Sequence, residues 1–151
     1  MNFFCFFPSH YLIHYLLTNE VTQAVERHRK MIHSAKGVPG VKMDRWMAAK
    51  RGPKHCALSL VGEPIMYPEI NKLLTLLDGR GISTFLVTNA QFPDAIRDLS
   101  PCTQLYISID AATRDALKAV DRPLFPDFWE RFLASIDSLR EKDLHQRTVF
   151  R

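Results

Sequence analysis

Three short apolar runs organise this chain: HCALSLV at residues 55–61, STFLVT at 83–88 and QLYISI at 104–109. Each breaks off at a polar or flexible group, and a stretch with helical spacing follows each. Strands that alternate with helices in this way pair in parallel through right-handed crossovers, so few topologies are open to the chain. The runs are continuously apolar rather than alternating, which predicts a sheet covered on both faces. RTVFR at 147–151 reads as the opening of a fourth strand, so the chain is expected to end inside it. The pattern fits a doubly wound sheet or a slice of a (β/α) barrel. In both, function gathers at the carboxyl ends of the strands.

The helical stretches can be placed from their apolar spacing. Over residues 19–34, Val21, Ala24, Val25, His28 and Ile32 share a face, with Thr18 or Asn19 as the cap and Gly37 and Pro39 as the stop. A basic connection follows to residue 54. Ile70, Leu73, Leu74 and Leu77 form an i, i+3, i+4, i+7 stripe, opened by Pro68 and closed near Gly79 and Gly81. Pro93 begins a short helix that turns Ile96 and Leu99 inward, and Pro101 ends it. Thr113 caps another helix to Val120. Beyond DRPLFP, a longer helix carries Phe128, Phe132, Leu133, Ile136 and Leu139 on one expected inner face.

Composition narrows the class. With 46% hydrophobic and 24% charged residues among 151, the chain reads as a globular domain with no membrane-spanning run. Residues 1–17 are apolar and aromatic but lack a basic leader and a small-residue cleavage site, so secretion is not expected. Cys5, Cys56 and Cys102 lie 51 and 46 residues apart, a spacing that fits no zinc or iron–sulfur pattern. An odd, sparse cysteine count favours a reducing, cytoplasmic setting, with each thiol a small core residue. The net charge of +4 is uneven, since residues 21–55 hold nine Lys/Arg against Glu26 and Asp44. Such a block is usually a solvated helix face, and it can also bind phosphate backbones.

The strand ends carry the chemistry. Gly62-Glu63-Pro64, Thr88-Asn89-Ala90 and Ser108-Ile109-Asp110 stand at equivalent positions, and parallel pairing brings them to one rim. Neither GxGxxG nor a Walker sequence is present, so phosphate-cradling glycines are not the recognition device. Gly62 permits unusual backbone angles, Glu63 offers a carboxylate acceptor, and Pro64 restricts Glu63 and sets the chain direction. Strand-end carbonyls together with Glu63 can hold a ligand ammonium. Thr88, Asn89, Ser108 and Asp110 also suit ordinary turn and cap roles. The Arg122 fork suits a carboxylate or phosphate, although an ion pair with a neighbouring helix is the ordinary expectation.

The series KHCALSLVGEPIMYPEINKLL, STFLVTNAQFP, TQLYISIDA and DRPLFPDFWERF resembles the radical S-adenosylmethionine domain of the tRNA 4-demethylwyosine synthase family. The resemblance runs over residues 19–151 and is most specific over 54–132; residues 1–17 stand outside it as an atypical N-terminal segment. It implies a partial (β/α) barrel at 18–151, with three full parallel strands and a truncated fourth. It further implies a lyase of wybutosine biosynthesis that joins N1-methylguanosine of phenylalanine tRNA with carbons from pyruvate. Its cofactors would be a [4Fe–4S] cluster and S-adenosylmethionine, with FMN on a separate domain. On the matching positions, Gly62, Glu63 and Pro64 correspond to the cradle of the cofactor's amino group. Ser108 and Asp110 correspond to a strand end facing its ribose and methionine parts, and Thr88 and Asn89 share that rim.

The family's CxxxCxxC loop is not among these residues, and His10 and His14 are no substitute for thiolates. This polypeptide alone is therefore expected not to perform the radical reaction and to bind S-adenosylmethionine weakly at most. A second reading is a non-catalytic tRNA-binding module using the basic segment 21–55. A third, an aldolase-type barrel, would need a strand-end lysine, and none of the three ends carries one.

Overall fold

The computed structural model describes residues 10–59, 62–142 and 146–151, with side chains from residue 17 onward. The chain divides into two compact units, residues 1–54 and 55–151.

In the first unit, α1 (His10–Ser34) begins earlier than the expected residue 19. The basic connection expected after it contains a helix of its own, α2 (Met43–Ala49). MDRWMAA lies between Gly40 and Gly52 with no breaker inside it, which leaves the backbone free to coil. Trp46 anchors the turn: it is buried, and its indole N–H donates to the Ile32 carbonyl at 2.8 Å. His33 meets the ring edge-on at 5.8 Å, and the Lys36 and Lys50 ammonium groups lie 5.5 and 5.4 Å from its centroid. Part of the basic block therefore packs on an aromatic face.

The second unit is a sheet of four parallel strands in the order β1 (His55–Leu58), β2 (Ser83–Thr88), β3 (Gln104–Ile107) and β4 (Thr148–Phe150). Each strand pairs with the next in sequence, as in a barrel wall rather than a doubly wound sheet, where the order reverses. The connections run through α3 (Ile70–Asp78), α4 (Pro93–Asp98), and α5 (Arg114–Asp121) with α6 (Phe128–Glu141). Pro93 and Thr113 act as expected: Pro93 takes the first turn of α4, and Thr113 Oγ1 accepts the Ala116 N–H. Pro68 instead precedes α3 by two residues, while Pro64 opens a 3₁₀ turn at Pro64–Met66.

The register puts Leu58, Leu86, Leu105 and Ile107 on one face, where Ile65, Ile70, Leu74, Ile96 and Phe132 cover them. The other face is only half-buried; on it the Phe85 and Tyr106 rings meet at 5.1 Å. The expectation of two covered faces thus holds for one. Apolar composition reports that both faces avoid water, not that the helices of this unit cover both. On α6 the buried side chains are Phe128, Phe132, Ser135 and Ser138, whereas Leu133 is 46% exposed. The inner stripe is therefore rotated from the expected one, because Ser135 finds a partner inside, the Ala90 carbonyl at 2.8 Å.

Replacing Leu86, which is 0% exposed, with Ala is expected to lower the urea unfolding free energy by about 2–5 kcal/mol. Leu133→Ala should cost under about 0.5 kcal/mol. Equal losses would contradict this orientation of α6.

Candidate functional site

At the carboxyl ends of β1, β2 and β3 lies a cavity of about 500 Å³. Its polar lining includes Glu63, Asn89, Gln91, Ser108, Asp110 and Asp121; Phe125, Phe128, Phe132 and Leu117 form apolar wall. Gly62 has φ +63, and a Cβ there would meet nothing within 4 Å. What the glycine supplies is conformation rather than space, which lets the chain turn sharply into Glu63. The 3₁₀ turn that follows is pinned by Ile65, 2% exposed.

Glu63 spans two strand ends. Its Oε2 accepts the Asn89 N–H at 3.0 Å, while Oε1 is buried and accepts from no described group. Burial pushes this carboxyl above the usual carboxylate range, and the Thr88 hydroxyl and the Asn89 and Ile65 amides offset part of that rise. The second rim is a pair of side-chain turns: Thr88 Oγ1 accepts the Ala90 N–H at 3.2 Å, and Asn89 Oδ1 accepts the Gln91 N–H at 3.2 Å. Together they hold Ala90 at φ 57 with no exposed surface. β3 continues the ladder, with the Ser108 N–H donating to the Thr88 carbonyl at 3.0 Å.

Five of the residues singled out from sequence, Glu63, Asn89, Ser108, Asp110 and Arg122, therefore line one cavity. Gly62 and Pro64 set the backbone beside it. Thr88 is 1% exposed on the core side of β2 and shapes the rim from beneath.

Sequence reasoning missed Gln91 and Asp121. Gln91 is buried; its Nε2 donates to the Phe128 carbonyl at 3.1 Å, and its Oε1 accepts from no described group. The one available signal was its place two residues beyond Asn89 at a strand end. Asp121 ends α5 and lies against Asp110. Burial raises its carboxyl, and the charge of Asp110 and a hydrogen bond with it raise it further. The expected ion pair of Arg122 with a neighbouring helix does not form: among the described residues its guanidinium has no carboxylate partner. A separate hollow of about 550 Å³ runs along α4 and α6, but its Arg131 is already paired with Asp127 at 3.0 Å.

The cysteines do not converge. Cys56 is half-buried on β1, and Cys102 is buried, with its N–H and carbonyl both bound by Gln146. Burial raises both thiols, which disfavours the thiolates that metals need. Among the described residues no three His, Cys, Asp or Glu side chains form a metal-binding group; Cys5 lies outside them. Among them also, no helix is long and apolar enough to cross a membrane.

Comparison with known proteins places this rim in context. Residues 3–151 match the family model described as Radical SAM superfamily. The chain is 66% identical over 131 residues to the S-adenosyl-L-methionine-dependent tRNA 4-demethylwyosine synthase of Oryza sativa subsp. japonica, covering 87% of this chain and 20% of that protein. It is 63% identical over 129 residues to the Mus musculus synthase TYW1, covering 85% of this chain and 18% of that protein. It thus spans about a fifth of the length of these relatives. Among solved structures, TYW1 with a lysine-pyruvate adduct bound superposes with a TM-score of 0.74 at 31% identity, covering 91% of this chain and 43% of that one. Archaeal TYW1 gives 0.68 at 30% identity, over 91% and 45%.

The raised Glu63 carboxyl has a signed consequence. Its native-state preference for the proton stabilises the fold below the ordinary carboxylate pKa of 4.5 and is lost as pH rises through the higher folded value. Glu63→Gln lacks this titration. The difference in urea midpoint between the two proteins should therefore move in the variant's favour from pH 4.5 to pH 7; a constant difference would refute the assignment.

Proposed function

The chain belongs to the radical S-adenosylmethionine superfamily, and on that premise we propose that its rim cavity is the S-adenosylmethionine site of a tRNA 4-demethylwyosine synthase. The observation that carries this reading is the Glu63 carboxylate at the mouth of three strands, with one oxygen fixed on the Asn89 amide and the other unpartnered. An ammonium is the group that would satisfy it, because three N–H donors on one cation can reach a carboxylate and nearby carbonyls together. Asn89, Ser108 and Asp110 add acceptors suited to a ribose diol, and the aromatic wall excludes water. A volume of about 500 Å³ lies within the range for cofactor-sized ligands.

S-adenosylmethionine, when bound in such enzymes, is the source of a carbon radical. What these residues contribute is binding and orientation: Glu63 holds the amino end, and the Thr88–Gln91 turns keep that carboxylate in register. The cluster is a different case. A [4Fe–4S] centre with an open iron needs three thiolates, and Cys56 and Cys102 are raised, separately placed thiols. The residues described here do not fit it, so we infer that this polypeptide by itself carries out no radical chemistry.

The reaction on phenylalanine tRNA with pyruvate, its class as a carbon–carbon lyase and the FMN domain are proposed for the longer protein that the relatives represent. A cytoplasmic setting goes with that reading. The alternative of a stand-alone tRNA-binding module gains nothing from these relatives, which are named as synthases.

Titration calorimetry of the full chain with S-adenosylmethionine is expected to show saturable binding that Glu63→Ala weakens by about tenfold or more. Absence of binding in the parent would overturn the cofactor reading. Anaerobic incubation with iron and sulfide should leave well under the roughly four irons per chain of a complete cluster, whereas full occupancy would overturn the inference of inactivity.

A further inference from the structure

We propose that the turn joining α1 to α2 is a docking surface for the sugar–phosphate backbone of a folded RNA, gripped by Arg29, Lys36, Lys50 and Arg51. The surface lies wholly within the first unit. Naming the polyanion as RNA rests on the proposed function, whereas the surface itself follows from the charges and contacts of this unit.

Three observations support it. The first is uncompensated charge. Residues 21–55 carry nine Lys/Arg against Glu26 and Asp44. Among the described residues every ion pair lies in the second unit: Lys72 with Glu69, and Arg97, Arg131 and Arg140 each with an aspartate. No cation of α1, α2 or their connection pairs with a carboxylate. A solvated helix face ordinarily sets acids three or four residues from its bases, and here that relief is missing. The second observation is placement. Trp46 ties α2 to α1 through the Ile32 carbonyl at 2.8 Å, and the Lys36 and Lys50 ammonium groups lie 5.5 and 5.4 Å from its ring centroid. An ammonium over an indole is held in place yet keeps its charge and its outward N–H donors. Arg29 comes from α1: a Cβ on Gly52 would lie 3.6 Å from its Nε and Nη2, so the guanidinium rests against the backbone beside Arg51. Cations from α1, the connection and the end of α2 thus converge on one turn, ordered in advance of any ligand.

The third is the kind of partner these groups suit. Trp46 is 6% exposed, so its ring is turned away from any base that would stack on it. The exposed large apolar side chains described in this unit are methionines and valines, such as Met31, Met43 and Met47. Helices that lie on membranes set Trp, Phe or Leu into the lipid, and protein interfaces centre on Trp, Tyr and Arg anchors in apolar pockets. The turn instead presents ammonium and guanidinium groups, which bind phosphate oxygens. Contacts of this type position a nucleic acid without reading its bases, so the surface answers to charge and shape.

Fluorescence anisotropy of the full chain with an end-labelled tRNA transcript tests the proposal. The parent is expected to bind with an affinity that falls as salt rises, with a log–log slope of about −3 or steeper. Lys36→Gln, Lys50→Gln and Arg51→Gln combined should weaken binding about tenfold or more and flatten that slope by about 2. The same loss of charge in the second unit, Lys72→Gln with Arg97→Gln and Arg140→Gln, should weaken it less than about threefold. Lys36→Arg with Lys50→Arg keeps the charge and should bind within about twofold of the parent. Because Lys36 and Lys50 also cover Trp46, a urea midpoint checks the fold of the first triple variant. Arg51→Glu, at an exposed position outside the Trp46 contacts, should by itself weaken binding about threefold or more. A parent without affinity for the transcript would overturn the proposal. So would equal losses in the two triple variants, or tighter binding to phosphatidylserine vesicles than to the transcript. Calorimetry with S-adenosylmethionine reads the cavity separately, so failure of the surface and failure of the cofactor site are told apart.

Discussion

Ser135 of α6 donates its hydroxyl to the Ala90 carbonyl at 2.8 Å, and Gln91 donates its amide to the Phe128 carbonyl at 3.1 Å. A third bond, from Arg131 to the Gln91 carbonyl at 3.3 Å, closes this knot. Backbone groups just past the end of β2 are thereby satisfied by a helix more than thirty residues further along the chain. Buried peptide groups left without partners cost about 1–3 kcal/mol each, so this junction decides how the sheet and α6 fit together. It also freezes Ala90 in a left-handed conformation, which is what directs Asn89 and Gln91 toward the rim.

The rim itself runs against stability. Glu63 keeps a buried oxygen without a donor, Gln91 keeps a buried amide oxygen without one, and Asp110 and Asp121 crowd two acids together. Arg122 adds a left-handed backbone without glycine. Among the described residues no other buried side-chain oxygen or nitrogen lacks a partner; Asn71, for example, bridges the Asp98 carbonyl and the Ser100 amide at 2.9 and 2.6 Å. Concentration of unmet polar demand at one end of the strands is what a binding site requires, since a ligand that meets the demand gains the energy the fold has forgone.

The described thiols stand apart from the cavity. Cys102, just before β3, is held through its N–H and carbonyl by the oxygen and nitrogen of the Gln146 side-chain amide, a link that joins β3 to the segment before β4. Its role is structural, at the end of the strands opposite the cavity. Cys56 sits in register with Thr84 on the core face of β1. The rim of the cavity is held by hydrogen bonds among its own residues, with neither described thiol taking part.

The apolar runs at 83–88 and 104–109 made the parallel strands legible, and Gly62-Glu63-Pro64 marked the rim, because strand composition and turn chemistry act over a few residues. The cap at Thr113 and the opening of α4 at Pro93 could be read for the same reason. Sequence alone could not decide which face of α6 turns inward. Ser135 and Ser138 displace Leu133 there because Ser135 finds the Ala90 carbonyl in the tertiary fold. Nor could it find α2, whose seven residues are held by Trp46 reaching back to Ile32. Local chemistry set where the strands end and which residues stand at those ends. The meeting of Gln91, Asp121 and Arg122 with Glu63 around one cavity was left to long-range packing, since nothing in their spacing along the chain encodes it.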